Sequence, residues 1–229
     1  MKKVFGLLLV FCLLAVTVLF LPACQKKEGQ LPTLQVGDQW VWSYTIDETT
    51  SIITEEIIGE ETVEGRECHV IDMVFDPPMS WTQGDMECNV SSMKYWGDKA
   101  TGLLGVKHET STTCNGQVYT STELYSYDPW TPLFPLEIGK EVEMEKTTTT
   151  YSNGEQTGDP VVGTETYEVE SKEDLTVAAG TFSCWKITMY DSANDITQTM
   201  WWSDDAKTIV KMTDADGNTI MELQSYSIN

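Results

Sequence analysis

Strict alternation of apolar and polar residues constrains this chain more than any other feature of its sequence. Two segments, DQWVWSYTI and ECHVIDMVF, each place four side chains on one face of an extended strand. These are Trp40, Trp42, Tyr44 and Ile46 in the first segment, and His69, Ile71, Met73 and Phe75 in the second. Hairpin signals separate other strand-like segments at Asn115-Gly116, Asn153-Gly154 and Asp216-Gly217. We therefore expect an antiparallel all-β fold with few or no helices in the mature part.

Similar segments recur in the same order in the two halves of the chain. The pairs are LQVGD at Leu34 with LEIGK at Leu136, ECHVIDM around Cys68 with SCWKITM around Cys184, YWGD at Tyr95 with WWSD at Trp201, and ELYSY at Glu123 with ELQSY at Glu222. Internal duplication explains this order, and chance similarity of two β segments is the alternative. We expect a first β domain over residues 34–128 and a second over residues 136–229. Three prolines within residues 129–135 indicate a linker, because proline donates no hydrogen bond to a sheet.

The N-terminal segment combines two lysines, a long apolar run and a cysteine. Leu21-Pro22-Ala23-Cys24 resembles the lipobox of bacterial lipoproteins. That resemblance implies a signal peptide over residues 1–23, acylation of Cys24, for example with palmitate, and a flexible tether over residues 24–33. An uncleaved N-terminal helix is the alternative, since the run is long enough to span a bilayer. Both alternatives place the rest of the chain outside the cytoplasmic membrane, in the cell envelope.

The chain is strongly acidic. It has 36 Asp and Glu against 14 Lys and Arg, a net charge of −22, and Arg66 is its one arginine. Removal of residues 1–23 takes away Lys2 and Lys3 and makes the charge more negative still. A nucleic-acid partner is excluded, because such binding requires clustered basic side chains. An anionic lipid surface would also repel the domain, so the acylated Cys24 is the expected contact with the lipid bilayer.

Besides Cys24, the mature chain keeps four cysteines, at positions 68, 88, 114 and 184. They allow three pairings in an oxidising compartment. We favour a disulfide between Cys88 and Cys114, which flank a strand–turn–strand segment. A link between Cys68 and Cys184, or two separate buried thiols at these equivalent positions, are the alternatives. Close paired spacings typical of zinc sites are absent from the sequence, and we expect neither metal nor cofactor.

Motifs with catalytic spacing are also absent from the sequence. It has no G-x-S-x-G elbow and no phosphate-binding loop, and its two histidines, His69 and His108, stand in no metal-binding spacing. Adjacent acids occur at Glu55-Glu56, Glu60-Glu61 and Asp204-Asp205. They leave an acid-pair hydrolase open as one alternative, since such enzymes hold two carboxylates across a cleft. A protein that is not an enzyme is the leading interpretation.

Aromatic side chains supply the candidate contact residues. Trp42, Trp96 and Trp202 lie on strand-like segments, where they fill the interior or line a concave face. Met79 and Trp81 lie in the segment DPPMSWTQGD, and Trp130 lies in the proline-containing connection. Apolar groups in such loops often mark a contact surface. Exposed tryptophans also leave a cell-surface carbohydrate-binding module open as a second alternative.

The second half also carries LTVAAGTFSCWKI, WWSDDAKTIVKM and ELQSY. This pattern resembles small exported domains related to the open-barrel fold of lipoprotein carriers of the LolA/LolB type. The resemblance implies two tandem curved sheets, each an incomplete barrel around a hydrophobic interior. It also implies that the protein binds a hydrophobic or lipid ligand, or an envelope protein partner, without catalysis.

Overall fold

The computed structural model describes residues 28–46, 49–83, 86–102 and 104–229, so Cys24 lies outside the described residues. Over these ranges the chain forms strands and turns with no helix, which confirms the all-β prediction. No helix that is long and apolar enough to cross a membrane occurs among them. The strands are β1 Gln39–Ile46, β2 Thr49–Val63, β3 Arg66–Gln83, β4 Met86–Asp98, β5 Gly105–Cys114, β6 Gln117–Asp128, β7 Glu141–Ser152, β8 Glu155–Gln156, β9 Val161–Val177, β10 Gly180–Asp191, β11 Ile196–Ser203, β12 Thr208–Asp214 and β13 Thr219–Ser227.

Twelve of these strands form one closed antiparallel barrel. Neighbours follow the order β6-β5-β4-β3-β2-β1-β13-β12-β11-β10-β9-β7, and β7 also pairs with β6, which closes the ring. The short β8 pairs only with β7. The expectation of two tandem incomplete barrels is therefore wrong. Each half supplies six strands, and its two free edges are satisfied by the other half, through β1–β13 and β6–β7.

The two halves repeat their local structure. The segments paired in the sequence lie at corresponding places: before β1 and β7, on β3 and β10, at the ends of β4 and β11, and on β6 and β13. The same backbone hydrogen bond runs from Gly37 to the Ile57 carbonyl and from Gly139 to the Val169 carbonyl. The Ile57 and Val169 amides bond in return to Asp38 and Lys140, respectively.

One end of the barrel is plugged by segments that connect strands. Within residues 129–136, Leu133, Phe134 and Leu136 are buried, and Phe134 stacks edge-on against Trp202 at 5.1 Å between ring centroids. These residues, expected to form a linker, therefore contribute to the core. The buried Gly29 also lies at this end, where its amide donates to Asp204 Oδ2 at 2.7 Å and its carbonyl accepts from the Leu136 amide.

The other end carries the strand turns that the sequence predicted. Asn115-Gly116 and Asn153-Gly154 are two-residue turns with positive φ at both positions, which suit asparagine and glycine. Asp216-Gly217 lies in the β12–β13 turn, where the Asp214 side chain accepts the amides of residues 216 and 218. We call this the open end of the barrel.

Candidate functional site: the barrel lumen

The inner face of the barrel changes character along six of its strands, β1, β6, β9, β10, β12 and β13. Near the plugged end its side chains are buried, and one inward position further toward the open end they are partly accessible. The buried and partly accessible neighbours are Trp42 and Tyr44, Leu223 and Met221, Val210 and Met212, Ile187 and Met189, Val169 and Tyr167, and Tyr127 and Tyr125. Because the closed wall surrounds these positions, their accessibility indicates a lumen above a packed floor.

Methionine and tyrosine dominate the wall of this lumen. Cross-strand register joins Tyr44 to Met221, Met221 to Met212, and Met212 to Met200 around one side of the barrel. On the other side, Met73 pairs with both Glu55 and Met93. Methionine is unbranched and polarizable, so such a wall adapts its shape to an apolar guest.

A cluster of tyrosines and acids forms the polar part of the wall. Tyr167 donates to Glu165 Oε2 at 3.0 Å, and the Lys146 ammonium donates to Glu165 Oε1 at 2.5 Å and to Asp191 Oδ2 at 2.6 Å. Burial alone would lower the pKa of Lys146, but its hydrogen bonds to Asp191 and Glu165 outweigh that effect and raise the pKa. Lys146 therefore stays charged between two largely buried carboxylates.

Tyr95 and Tyr125 extend this cluster to β4 and β6. The Tyr125 hydroxyl donates to Glu123 Oε2 at 2.5 Å. Burial raises the pKa of Tyr95, and the charge of Glu165, although it lies on β9, raises that pKa further. The same carboxylate contributes to the raised pKa values of Tyr127 and Tyr167, after burial. The Glu165 charge thus affects tyrosines on three strands, and the tyrosines remain neutral at physiological pH.

Glu55 supplies an acid of a different kind. It faces the lumen from β2 between the buried Ile53 and Ile57. Burial raises the pKa of its carboxyl to about 8. Most Glu55 side chains are therefore protonated at pH 7 and offer an O–H donor to the interior.

An extension of β3–β6 beyond the barrel continues the apolar wall. Met79 pairs with Val90, and Trp81 pairs with Cys88, which is disulfide-bonded to Cys114. Met79 packs against the cluster of Ile53, Phe75 and Val90, together with the lumen residues Met73 and Met93. Trp81 is 44% exposed near the tip. The two residues predicted as contact sites thus lie on one strand face that leads toward the lumen.

The other predicted contact residues are packed. Trp42 is 1% exposed, and its indole donates to the Ile209 carbonyl. Trp96 donates to Glu61, Trp202 packs on Phe134, and Trp130 is held between the Arg66 guanidinium and the Tyr127 ring. Sequence reasoning missed the tyrosine–acid cluster, although the alternation of Thr, Tyr and Glu in β6 and β9 placed these side chains on one face.

The structure also places the other cysteines and the adjacent acidic residues that the sequence singled out. Cys68 and Cys184 are separate buried thiols, and each Sγ lies within hydrogen-bonding distance of the carbonyl oxygen two residues before it. Glu55 and Glu56 lie on opposite faces of β2, whereas Asp204 accepts from the indoles of Trp185 and Trp202. Glu60 binds Lys99. Within the described ranges, no group of three or more His, Cys, Asp or Glu residues is arranged to hold a metal ion.

No protein-family model matches the sequence, and no curated protein matches it. Two solved structures are similar in part. One is described as an exported protein with a YmcC-like fold, from Bacteroides fragilis NCTC 9343, with a TM-score of 0.41 and 12% identity over 87% of this chain and 99% of that one. The other is described as a lipoprotein from Parabacteroides distasonis ATCC 8503, with a TM-score of 0.40 and 15% identity over 88% of this chain and 100% of that one.

Proposed function

We propose that this protein is an extracytoplasmic lipoprotein that binds a hydrophobic or amphiphilic ligand in its barrel lumen, without catalysis. The observation that supports this most directly is the partly accessible inner face of Met and Tyr above a packed floor. Interiors of barrels with about eight strands are just filled by side chains or hold one small ligand. A closed ring of twelve strands encloses more space.

The membrane anchor in this proposal rests on the sequence around Cys24. Acylation and cleavage there would leave a mature chain whose lipid lies four residues before Glu28.

The duplication belongs to the proposal as well. Six strands in each half, with the same hydrogen bonds at Gly37 and Gly139, support descent from one six-stranded unit.

Binding of an envelope protein at the β3–β6 extension is the second candidate. It is favoured by one observation, the exposure of Trp81 on the same strand face as the lumen-facing Met79. A protein partner there would cover the tip of the extension and leave the lumen unfilled. The two candidates therefore differ in which residues the ligand shields.

Native mass spectrometry of residues 25–229, purified from an oxidising compartment, tests the lumen directly. We expect adducts of lipid mass, together with saturable binding of the fluorescent probe N-phenyl-1-naphthylamine. Met221→Lys places a charge inside the lumen and should abolish probe binding. Glu222→Lys is the matched control, because the neighbouring side chain lies on the opposite face of β13.

Thermal melting of both variants shows whether each still folds. Equal probe binding by folded Met221→Lys and Glu222→Lys proteins would overturn the lumen proposal. A bare protein without probe binding would overturn it too, and would direct attention to Trp81.

A further inference from the structure

We infer that the lumen accepts amphiphiles with a cationic ammonium head group and disfavours those with an anionic head. This inference rests on the proposed function and specifies its ligand class. It follows from which atoms the polar part of the wall presents to a guest. Around Glu165 these are aromatic faces and carboxylate oxygens, whereas the neighbouring donors on Lys146, Tyr125 and Tyr167 already have acceptors.

The aromatic part consists of the partly accessible Tyr95, Tyr125 and Tyr167 on three strands, β4, β6 and β9. Tyr127 lies below them in the packed floor, against Trp130. An aromatic ring is negative over its face, so rings around a cavity attract an ammonium group placed within about 6 Å of a centroid. Aromatic rings also accommodate the methyl groups of a quaternary ammonium, which has no N–H group to donate to a carboxylate.

The charges in the wall have the matching sign. Glu165 and Asp191 share the single ammonium of Lys146, which leaves one negative charge uncompensated in that group. Glu123 adds another carboxylate, with His108 4.0 Å away. Burial lowers the pKa of His108, so this imidazole is neutral at pH 7 and supplies no positive charge.

Three hydrogen-bond donors of the cluster are engaged. Tyr125 donates to Glu123, Tyr167 donates to Glu165, and Lys146 donates to both Glu165 and Asp191. A sulfate, phosphate or carboxylate head would have to displace these bonds to be solvated in the lumen, and each displaced bond leaves a buried group unpaired. An ammonium head keeps them intact.

Three amphiphiles with the same dodecyl chain test the inference: dodecyltrimethylammonium, dodecyl maltoside and dodecanoate, each below its critical micelle concentration. Displacement of N-phenyl-1-naphthylamine from the mature protein gives their affinities. We expect dodecyltrimethylammonium to bind at least ~10-fold more tightly than dodecanoate, a difference of about 1.4 kcal/mol. Equal affinities, or tighter binding of dodecanoate, would overturn the inference but leave the lumen proposal standing. Failure of all three to displace the probe would overturn both.

The whole protein is acidic and attracts cations over its entire surface. A test of the lumen site therefore needs two variants that lose the same charge, one inside the lumen and one outside. Glu165→Gln and Glu168→Gln each remove one charge from β9, but residue 165 faces the lumen and residue 168 is exposed. Only Glu165→Gln should weaken dodecyltrimethylammonium binding, by ~5-fold or more. Equal weakening by both variants would show attraction to overall charge and contradict the site.

Tyr125→Leu is a second variant that keeps every charge while removing one aromatic face. It should lower the affinity for dodecyltrimethylammonium at least ~5-fold more than the affinity for dodecyl maltoside. Equal losses for the two amphiphiles would show that the ring merely shapes the wall. Thermal melting confirms that each variant is folded before its affinity is compared.

Discussion

The lumen-facing Glu55 makes the stability of the folded protein depend on pH. Its carboxyl has a raised pKa of about 8 in the folded protein, because burial disfavours the ionised form, and an ordinary pKa of about 4.5 in the unfolded chain. Folding is therefore favoured by protonation of Glu55. The contribution is complete below pH 4.5 and is lost as the pH rises through 8.

Glu55→Gln should remove this pH dependence while keeping the shape of the side chain. Between pH 5 and pH 8.5 we expect the free energy of unfolding of the wild type to fall by about 2 kcal/mol more than that of the variant. This is less than the full shift in pKa would give, because the Glu55 side chain is partly accessible to solvent. Urea titrations at both pH values measure the difference. Glu56→Gln, on the outer face of β2, is the control; parallel pH profiles for wild type and Glu55→Gln would contradict the assignment.

Arg66 stabilises the folded protein through the planar shape of its guanidinium group. Its guanidinium donates two hydrogen bonds to the buried Asp98, at 3.0 and 2.9 Å, and lies 3.7 Å over the Trp130 ring. Arg66→Lys keeps the charge but loses the fork and the flat stacking surface. We expect a loss of about 1–3 kcal/mol in the free energy of unfolding.

Urea unfolding followed by tryptophan fluorescence measures this loss. Lys94→Arg, a change between the same two residue types on an exposed side chain, should change stability by less than about 0.5 kcal/mol. An Arg66→Lys protein as stable as the wild type would show that the bidentate geometry contributes nothing.

At the scale of elements, the β3–β6 extension depends on its disulfide. Cys88 and Cys114 are directly opposite on β4 and β5 and are separated by 26 residues in sequence. Joining them restricts the unfolded chain and ties together strands that protrude from the barrel. A bond closing a loop of this size stabilises by about 3 kcal/mol.

A Cys88→Ala/Cys114→Ala protein should therefore open locally. We expect faster amide hydrogen exchange in the outer parts of β3–β6 and unchanged exchange in β10 and β11, on the far side of the barrel. Unchanged exchange in the extension would mean that the strand ladder alone holds it. Uniformly faster exchange would mean that the disulfide supports the whole barrel.

At the scale of the whole molecule, closure of the ring makes the two halves interdependent. Eight residue pairs join β6 to β7, and six join β1 to β13. Either half alone would expose two long strand edges and half of a core. We expect one cooperative unfolding transition in urea, with tryptophan fluorescence and far-UV circular dichroism coinciding, and no stable fold for residues 28–128 alone. Two separated transitions would contradict this.

Local features of the fold could be predicted from the sequence, and its closure could not. The alternation around Trp40, Trp42 and Tyr44 and the Asn-Gly turns identify strands and hairpins because they depend on neighbouring residues. Pairing of β6 with β7 depends on strand curvature accumulated around twelve strands, which no short segment encodes. The prolines at 129, 132 and 135 indicated a linker because they donate no backbone hydrogen bond to a sheet. A segment that crosses the end of a barrel does not need such hydrogen bonds, so the prolines fit this role equally well.

The candidate site was missed for a related reason. Alternation places Tyr125, Tyr167 and Met212 on the inner face, but it does not say whether that face is filled. Filling depends on the circumference of the barrel and on how far residues 129–136 extend into it. The large tryptophans drew attention instead, and of these Trp42 and Trp202 belong to the packed floor.

The docking of Gly29 at the plugged end has a consequence for how the protein stands on a membrane. Three residues, 25–27, separate Cys24 from Glu28, and the four steps along the chain span at most roughly 14 Å. The proposed acylation of Cys24 would therefore hold the plugged end against its own bilayer and turn the mouth of the lumen outward. The proposed ligand would then be exchanged with the next layer of the envelope, as its receiver or donor.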